Sequence, residues 1–254
     1  MQELVNNINS YIWSDSLIYF ALGAGLFFSF KTRFVQIRLF REMTRLLVSG
    51  KSSKKGISTF QALSVSLSGR VGTGNIAGVA AAIGFGGPGA VFWMWVVAFL
   101  GASTAYVEST LGQIYKEDSD GQYRGGPAYY IEKAMGQKWY AWIFAFATII
   151  ATGILLPGVQ ANSIGNAVEL ALGGGEIIQT VVGPLSTTKL ATSIGVVILL
   201  GFIIFGGVKR IAKFTQVVVP FMAFAYIITA LAVIGLNISR LPEIINLILT
   251  DAFT

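Results

Sequence analysis

A polar stretch, Gly72-Thr73-Gly74-Asn75, interrupts an apolar segment, residues 60–85, that is otherwise suited to cross a membrane. Each glycine in a helix interior costs roughly 1 kcal/mol relative to alanine, and the side-chain oxygens of Thr73 and Asn75 compete for backbone hydrogen bonds. The sequence therefore predicts a broken helix. Because opened backbone at bilayer depth is tolerated only where it is buried in protein or lines a cavity, the break indicates a binding site for a small polar molecule.

An opened helix presents two kinds of unpaired backbone group. Its outer half carries free N–H groups at a positive helix N-terminus, which suits a carboxylate, and its inner half carries free carbonyls, which suit a small cation. One segment could therefore hold both an amino acid's carboxylate and a coupling ion. Further polar side chains are predicted at the same depth, on the broken span and on two neighbouring spans: Ser64, Ser66, Ser68, Arg70, Glu108 and Gln160.

Each of these residues also has a purely structural interpretation. The spacing of Gly74 and Gly78 is typical of close helix packing, and the serines can bond to their own helix. Arg70 and Glu108 lie at matched depth, and a structural ion pair between them is favoured over a proton relay because an unpaired charge in the bilayer is costly. Gln160 suits a hydrogen bond between helices as well as it suits a ligand contact.

The composition is that of an integral membrane protein: 54% of residues are hydrophobic, 12% are charged and the mean hydropathy is +0.69. The chain has no His and no Cys, and Glu108 is the only carboxylate predicted at bilayer depth, so an intramembrane enzyme would lack its acid–base pair. The net charge of +6 is spread over the connections, so no nucleic-acid partner is expected. No cofactor and no metal beyond a coupling ion are expected.

Apolar runs long enough to cross a bilayer predict an all-α transmembrane protein with about six spans. Lys and Arg concentrate in the first, third and fifth connections, whereas the others contribute only Lys189 and Arg240. The positive-inside rule therefore predicts a multi-pass protein of the cell membrane with its N-terminus outside. Pro157-Gly158 predicts a tilt or kink in the fourth span. The six predicted crossings are 12–30, 60–83, 90–115, 139–171, 190–207 and 214–236.

Five stretches are highly specific in combination, namely residues 60–63 (FQAL), 71–78 (VGTGNIAG), 86–95 (GGPGAVFWMW), 125–133 (GGPAYYIEK) and 159–164 (VQANSI). Together they resemble the alanine or glycine:cation symporter family, the sodium:alanine symporters, over essentially the whole chain. The resemblance implies a leucine-transporter-like fold. It also implies secondary active transport, the sodium-coupled symport of small neutral amino acids, with alanine, glycine, serine and glutamine as candidates.

The resemblance implies substrate-binding roles for five residues. The backbone N–H groups of Gly72, Thr73 and Gly74 resemble a cradle for the carboxylate of an amino acid. Asn75 belongs to the same set, and Gln160 resembles a selectivity contact. The partners implied for this site are a small neutral amino acid and Na+, within the lipid bilayer.

The resemblance also implies a cation site on the inner half of the break. Asn75 and the carbonyls of Ser68 and Val71 resemble ligands of the coupling sodium ion. Arg70 departs from the family pattern, because a small residue is expected beside a sodium site. Its guanidinium could displace one ion or stand in for it.

Members of this family run to about twice this length, with a first helix and two inverted five-helix repeats. We therefore expect a truncated chain that inserts in the membrane but does not catalyse coupled uptake alone. Residues 1–56 would form the first helix and a basic cytoplasmic loop, and residues 57–237 one repeat with its broken helix at 68–76. Residues 238–254 would form a loop-like extracellular connection to a missing second repeat. Two alternatives stay open: a non-transporting structural or assembly subunit, and a proton-coupled carrier.

Overall fold

The computed structural model of the chain describes residues 2–49, 56–119, 121–180 and 183–254. Three lysines of the predicted basic loop, Lys51, Lys54 and Lys55, lie outside the described residues. Helix predominates, as the long apolar runs predict. The helices are α1 (Gln2–Ile12), α2 (Asp15–Lys31), α3 (Val35–Arg38), α4 (Phe40–Ser49), α5 (Thr59–Ser68), α6 (Ala77–Gly86), α7 (Ala90–Ile114), α8 (Pro127–Met135), α9 (Lys138–Thr148), α10 (Leu156–Leu172), α11 (Thr187–Ile204), α12 (Gly207–Leu236) and α13 (Leu241–Asp251).

Most of the membrane-crossing helices predicted from the sequence are present. The second predicted crossing, 60–83, is divided between α5 and α6 and leaves only the shorter apolar stretch Thr73–Gly86. A multi-pass helical membrane protein is therefore confirmed, whereas the leucine-transporter-like fold and its repeat stay predictions. Five helical stretches among the described residues are long and apolar enough to cross a membrane: Glu3–Lys31, Ala90–Ile114, Lys138–Leu172, Thr187–Ile204 and Gly207–Leu236.

Two short antiparallel hairpins, which the sequence did not predict, lie in the connections between helices. Strand β1 (Glu117–Ser119) pairs with β2 (Gln122–Arg124), and β3 (Ile177–Thr180) pairs with β4 (Gly183–Ser186). Gly183 opens β4 with a φ of 122°, a conformation that glycine adopts without the steric cost of a Cβ atom. Both hairpins lie outside the membrane-crossing helices.

The prediction that residues 238–254 are loop-like is wrong over most of this segment, because α13 (Leu241–Asp251) occupies it. Pro242 lies in the first turn, where its missing N–H costs nothing. Glu243 is also in the first turn, where a carboxylate interacts favourably with the helix dipole. Proline at this position favours the start of a helix.

The fourth crossing, Lys138–Leu172, is one continuous helical stretch, as predicted. A π-helical segment, Ile149–Leu155, separates α9 from α10, and Pro157 follows it in the first turn of α10. Proline has no N–H to donate and its ring collides with the carbonyl of the preceding turn. A π-helical turn changes the spacing of these groups, so the departure from regular α-helix lies just before the predicted position.

The chain divides into two compact units. The first unit comprises residues 1–49, 82–137 and 239–254. In this unit α7 packs against α2, α3, α8 and α13. Ser103 on α7 is fully buried and donates a hydrogen bond to the carbonyl of Gly25 at 3.0 Å, while Ser29 donates to the Ser103 hydroxyl at 3.1 Å. Small residues thus bring α2 and α7 together, as in other membrane helix pairs.

Replacing Gly25 by alanine is expected to push α2 and α7 apart. A Cβ atom built at Gly25 lies 2.9 Å from the Cβ of Leu100, and overpacking of this kind typically costs about 1–3 kcal/mol. Gly23→Ala, on the same helix, is the matched control, because no described atom of the first unit lies within 4 Å of its built Cβ. Thermal unfolding in detergent should show a lower midpoint for Gly25→Ala only. Equal midpoints for both variants would contradict this packing.

The second unit comprises residues 50–81 and 138–238. Here α5 packs against α12, α10 against α11, and α11 against α12. Ser58 starts α5 with a capping box, since Gln61 N–H donates to the Ser58 hydroxyl at 3.1 Å and Ser58 N–H donates to Gln61 Oε1 at 3.0 Å. The Gln61 amide then donates to Gln216 Oε1 on α12 at 2.9 Å. These contacts hold the first half of the interrupted helix.

Candidate functional site

The helix is interrupted where the sequence predicted. Helix α5 ends at Ser68, a single 3-10 turn covers Thr73–Asn75, and α6 begins at Ala77. Between them Gly72 has an extended backbone, with φ −155° and ψ −162°. The break is therefore confirmed, although the limits of the repeat that would contain it stay a prediction.

Asn75 stabilises the break by the mechanism that the sequence indicated. Its side-chain Oδ1 accepts a hydrogen bond from the Gly72 N–H at 3.0 Å, so this N–H does not continue the ladder of α5. Asn75 N–H in turn donates to the Gly72 carbonyl at 3.0 Å. A short-range side-chain bond of this type offers the backbone an alternative to helix.

Gln160 on α10 contacts the interrupted segment directly. Its Oε1 accepts a hydrogen bond from the Thr73 hydroxyl at 3.1 Å and a longer one from the Thr73 N–H at 3.4 Å. A Cβ atom built at Gly72 would lie 3.0 Å from Gln160 Nε2, so glycine permits this close approach. The structure therefore brings together Gly72, Thr73, Asn75 and Gln160, four of the five residues predicted to bind substrate.

Gly74, the fifth predicted substrate residue, faces open space. Within the described residues of the second unit, no heavy atom lies within 4 Å of a Cβ built at Gly74 or Gly78. The alternative interpretation of these two glycines as a close-packing pair therefore has no support inside this unit. The space beside Gly74 leaves its backbone approachable by a small molecule.

Several backbone groups at the break have no hydrogen-bond partner among the described residues of the second unit. On the side of α6 this is the N–H group of Gly74. On the side of α5 they are the carbonyls of Ser68 and Val71. Free N–H groups favour an anion and free carbonyls favour a cation, so the break has the polarity that an opened helix was predicted to have.

The polar side chains of α5 bond mainly within their own helix. Ser64 donates to the Phe60 carbonyl at 2.9 Å, and Ser68 donates to the Val65 carbonyl at 2.7 Å. Arg70 is exposed and donates to the Ser66 hydroxyl at 3.1 Å. The structural interpretation of Ser64 and Ser68, in which these serines bond to their own helix, is thus confirmed.

The predicted ion pair joins residues of different units. Arg70 belongs to the second unit and Glu108 to the first. The pairing of Arg70 with Glu108, and its preference over a proton relay, therefore stay predictions.

A second group of contacts, in the first unit, was not predicted from the sequence. Gly89 N–H, at the start of α7, donates to the Asp251 carboxylate at 2.8 Å, and Trp93 Nε1 donates to the Ala252 carbonyl at 3.0 Å. The ring of Phe253 lies 5.1 Å from that of Phe92. The motif at residues 86–95 contains Gly89, Phe92 and Trp93, but the residues that they contact, 251–253, lie far away in the sequence.

The fold and the break define a class of protein, a multi-pass helical membrane protein with a polar site on an interrupted helix. The chain belongs to the sodium:alanine symporter family, whose model matches residues 1–254.

Individual relatives agree with this assignment. YrbD of Bacillus subtilis, which carries the name of a sodium/proton-dependent alanine carrier, is 56% identical over 100% of this chain and 50% of its own length. The B. subtilis protein GlnT, named a sodium/glutamine symporter, is 42% identical over 100% of this chain and 51% of its own. A sodium/proton-dependent alanine carrier of Bacillus sp. strain PS3 is 46% identical over 83% of this chain and 44% of its own. The names are those of transporters, which agrees with the prediction that the chain is not an enzyme.

The chain spans about half the length of the curated relatives it matches. The second repeat, and the inability of the chain to transport without it, stay predictions.

Proposed function

We propose that this chain contributes a substrate and cation site to a carrier that couples the uptake of small neutral amino acids to Na+. The observation that carries the proposal is the contact of Gln160 with Thr73 at the interrupted helix. This contact holds opened backbone in a fixed position beside free polar groups. The names of the relatives support amino acids as substrates and Na+ or protons as coupling ions.

The carboxylate of the amino acid would bind on the α6 side of the break. Gly72 N–H already donates to Asn75, so the carboxylate cradle that the resemblance implies is reduced to the N–H groups of Thr73 and Gly74. Thr73 N–H makes only a long bond to Gln160, at 3.4 Å, which a carboxylate could replace. The open space beside Gly74 is where the substrate's small side chain would fit.

The coupling ion would bind on the α5 side. The carbonyls of Ser68 and Val71 have no donor within the described second unit, and backbone carbonyls are typical ligands of alkali cations in interrupted membrane helices. Asn75 Oδ1 accepts one hydrogen bond from Gly72 and retains a second lone pair for an ion. Na+ would then lie close to the substrate carboxylate, which favours binding of both together.

The proposed orientation follows from charge. The connections richest in Lys and Arg, including α3 and α4, would face the cytoplasm, and the N-terminus would lie outside. A carrier coupled to protons, as the name of YrbD allows, is the second candidate. A non-transporting subunit is less well supported, because packing inside the second unit does not account for Gly74.

Ligand-dependent thermal stability tests the proposal. L-Alanine with Na+ should raise the melting temperature of the purified 254-residue chain in detergent, since a ligand at 100 times its Kd stabilises the folded state by about 2.7 kcal/mol. L-Alaninamide, which lacks the carboxylate, should stabilise far less, and choline in place of Na+ should abolish the effect. Stabilisation in choline that grows as the pH falls would favour proton coupling. No shift with alanine, glycine, serine or glutamine would contradict the proposal.

A further inference from the structure

Helix α4 has an apolar face that the described residues of the first unit leave partly exposed, and a basic face opposite. Phe40, Met43 and Leu47 lie on one side and are 62%, 40% and 38% exposed. Arg41 and Arg45 lie on the other side, because residues four apart share a helix face. A helix with a charged face and an uncovered apolar face is suited to the plane of a membrane surface.

The chain holds α4 close to the end of a membrane-crossing helix. Helix α2 ends at Lys31, and the connection to α4 is anchored by Val35, which is 1% exposed. Gln36 Nε2 donates to the buried Ser29 hydroxyl of α2 at 3.0 Å, and Arg38 Nη2 donates to the Thr32 carbonyl at 3.2 Å. These contacts fix the chain to the last turn of α2, so α4 starts beside the end of a helix that is long and apolar enough to cross a membrane.

We propose that α4 lies in the membrane interface and binds the phosphate groups of anionic phospholipids. Arg38, Arg41, Glu42, Thr44 and Arg45 line an open groove of about 740 Å³. Arg45 pairs with Glu42 and Arg38 donates to the Thr32 carbonyl, and Arg41 also lines the groove. Guanidinium groups bind phosphate oxygens in a bidentate manner, while the apolar face enters the acyl region.

Charge complementarity favours anionic phospholipids over a second copy of the chain as the binding partner of α4. The groove contains three arginines and one carboxylate, and the whole chain has a net charge of +6, so another copy would bring repulsive charge. Anionic headgroups bring complementary charge together with an apolar phase for Phe40, Met43 and Leu47. Basic residues next to a membrane span typically gain about 1 kcal/mol each, or about fivefold in affinity, from an anionic leaflet.

An environment-sensitive label on the apolar face of α4 tests the proposal. The chain has no cysteine, so Met43→Cys allows a single bimane label on the full chain. In micelles of short-chain phosphatidylcholine titrated with short-chain phosphatidylglycerol, the emission should shift to the blue as α4 inserts. Arg41→Gln with Arg45→Gln should raise the half-saturating fraction of phosphatidylglycerol by about 25-fold, from about fivefold for each arginine.

Lys209→Gln with Lys213→Gln is the matched control, because it removes the same charge from α12 and should leave the half-saturating fraction unchanged. High salt should reverse the shift in the labelled, otherwise unsubstituted chain, which tests the headgroup contact even if the arginine variant misfolds. The proposal is overturned by a full shift in phosphatidylcholine alone, by a shift that salt does not affect, or by equal shifts for both double variants. It is also overturned if inorganic phosphate alone reproduces the shift.

Discussion

Gly89→Ala is expected to destabilise the first unit by about 3 kcal/mol, a typical upper value for overpacking. A Cβ atom built at Gly89 lies 2.5 Å from the Ala252 backbone nitrogen and 2.6 Å from the Asp251 carbonyl carbon. Both atoms are backbone, so the end of α13 must move away rather than adjust a side chain. The move also breaks the bond from Gly89 N–H to Asp251.

The loss of that bond has an electrostatic component. Asp251 places a negative charge at the N-terminus of α7, where a carboxylate stabilises a helix by about 0.3–1 kcal/mol when exposed and more when partly buried. When the Asp251 carboxylate moves away from the Gly89 N–H, the end of α13 moves with it. The bond from Trp93 to the Ala252 carbonyl and the ring contact of Trp93 with Phe253 can then also be lost. The effect of Gly89→Ala should therefore exceed that of Asp251→Asn.

Gly84→Ala is the control for Gly89→Ala. Gly84 lies inside α6, and no described atom of the first unit lies within 4 Å of its built Cβ. Alanine in a helix interior is favoured over glycine by about 1 kcal/mol, so this variant should melt at the same temperature or higher. If the Gly89→Ala variant has the same melting temperature as the unsubstituted chain, then α13 does not dock on α7 in the membrane protein.

The contrast between Gly72 and Gly89 shows what could be predicted from the sequence. The break at Gly72 was predictable because its cause is local: glycine content and an Asn75 side chain within reach of the Gly72 N–H. The stretch 86–95 contains Gly87 and Gly89, but the residue to which the Gly89 N–H donates, Asp251, lies at the other end of the chain. Only the packing of α13 against α7 brings these groups together.

The candidate site likewise combines features that could be predicted from the sequence with features that depend on helix packing. The sequence indicated Gln160 as a polar residue at the depth of the break, and left open whether it bonds to a helix or a ligand. The structure identifies Thr73 as its partner, a contact that depends on how α10 packs in the second unit. The free carbonyls of Ser68 and Val71 could be anticipated from the break itself.

Gln160→Ala is expected to weaken amino-acid binding by about tenfold or more. A lost hydrogen bond that leaves a partner unsatisfied typically costs about 1–3 kcal/mol, and Gln160 Oε1 is the acceptor for both the hydroxyl and the N–H of Thr73. Without this acceptor the 3-10 turn is free to move, and the N–H groups proposed to bind the carboxylate lose their fixed positions. Asn166→Ala, an exposed residue of the same helix, should leave binding unchanged.

A double-mutant cycle with Thr73→Val separates the two roles of Gln160. If Gln160 acts by positioning Thr73, the losses of binding free energy will not add, and the double variant will bind about as weakly as the weaker single variant. If Gln160 contacts the amino acid directly, the two losses will be additive. The measurement is the concentration of L-alanine that gives half-maximal thermal stabilisation in Na+, with binding assigned to the proposed site only where L-alaninamide fails to stabilise. We expect non-additive losses, because in the structure the Gln160 acceptor is already engaged by Thr73; additive losses would contradict a positioning role and indicate a direct ligand contact.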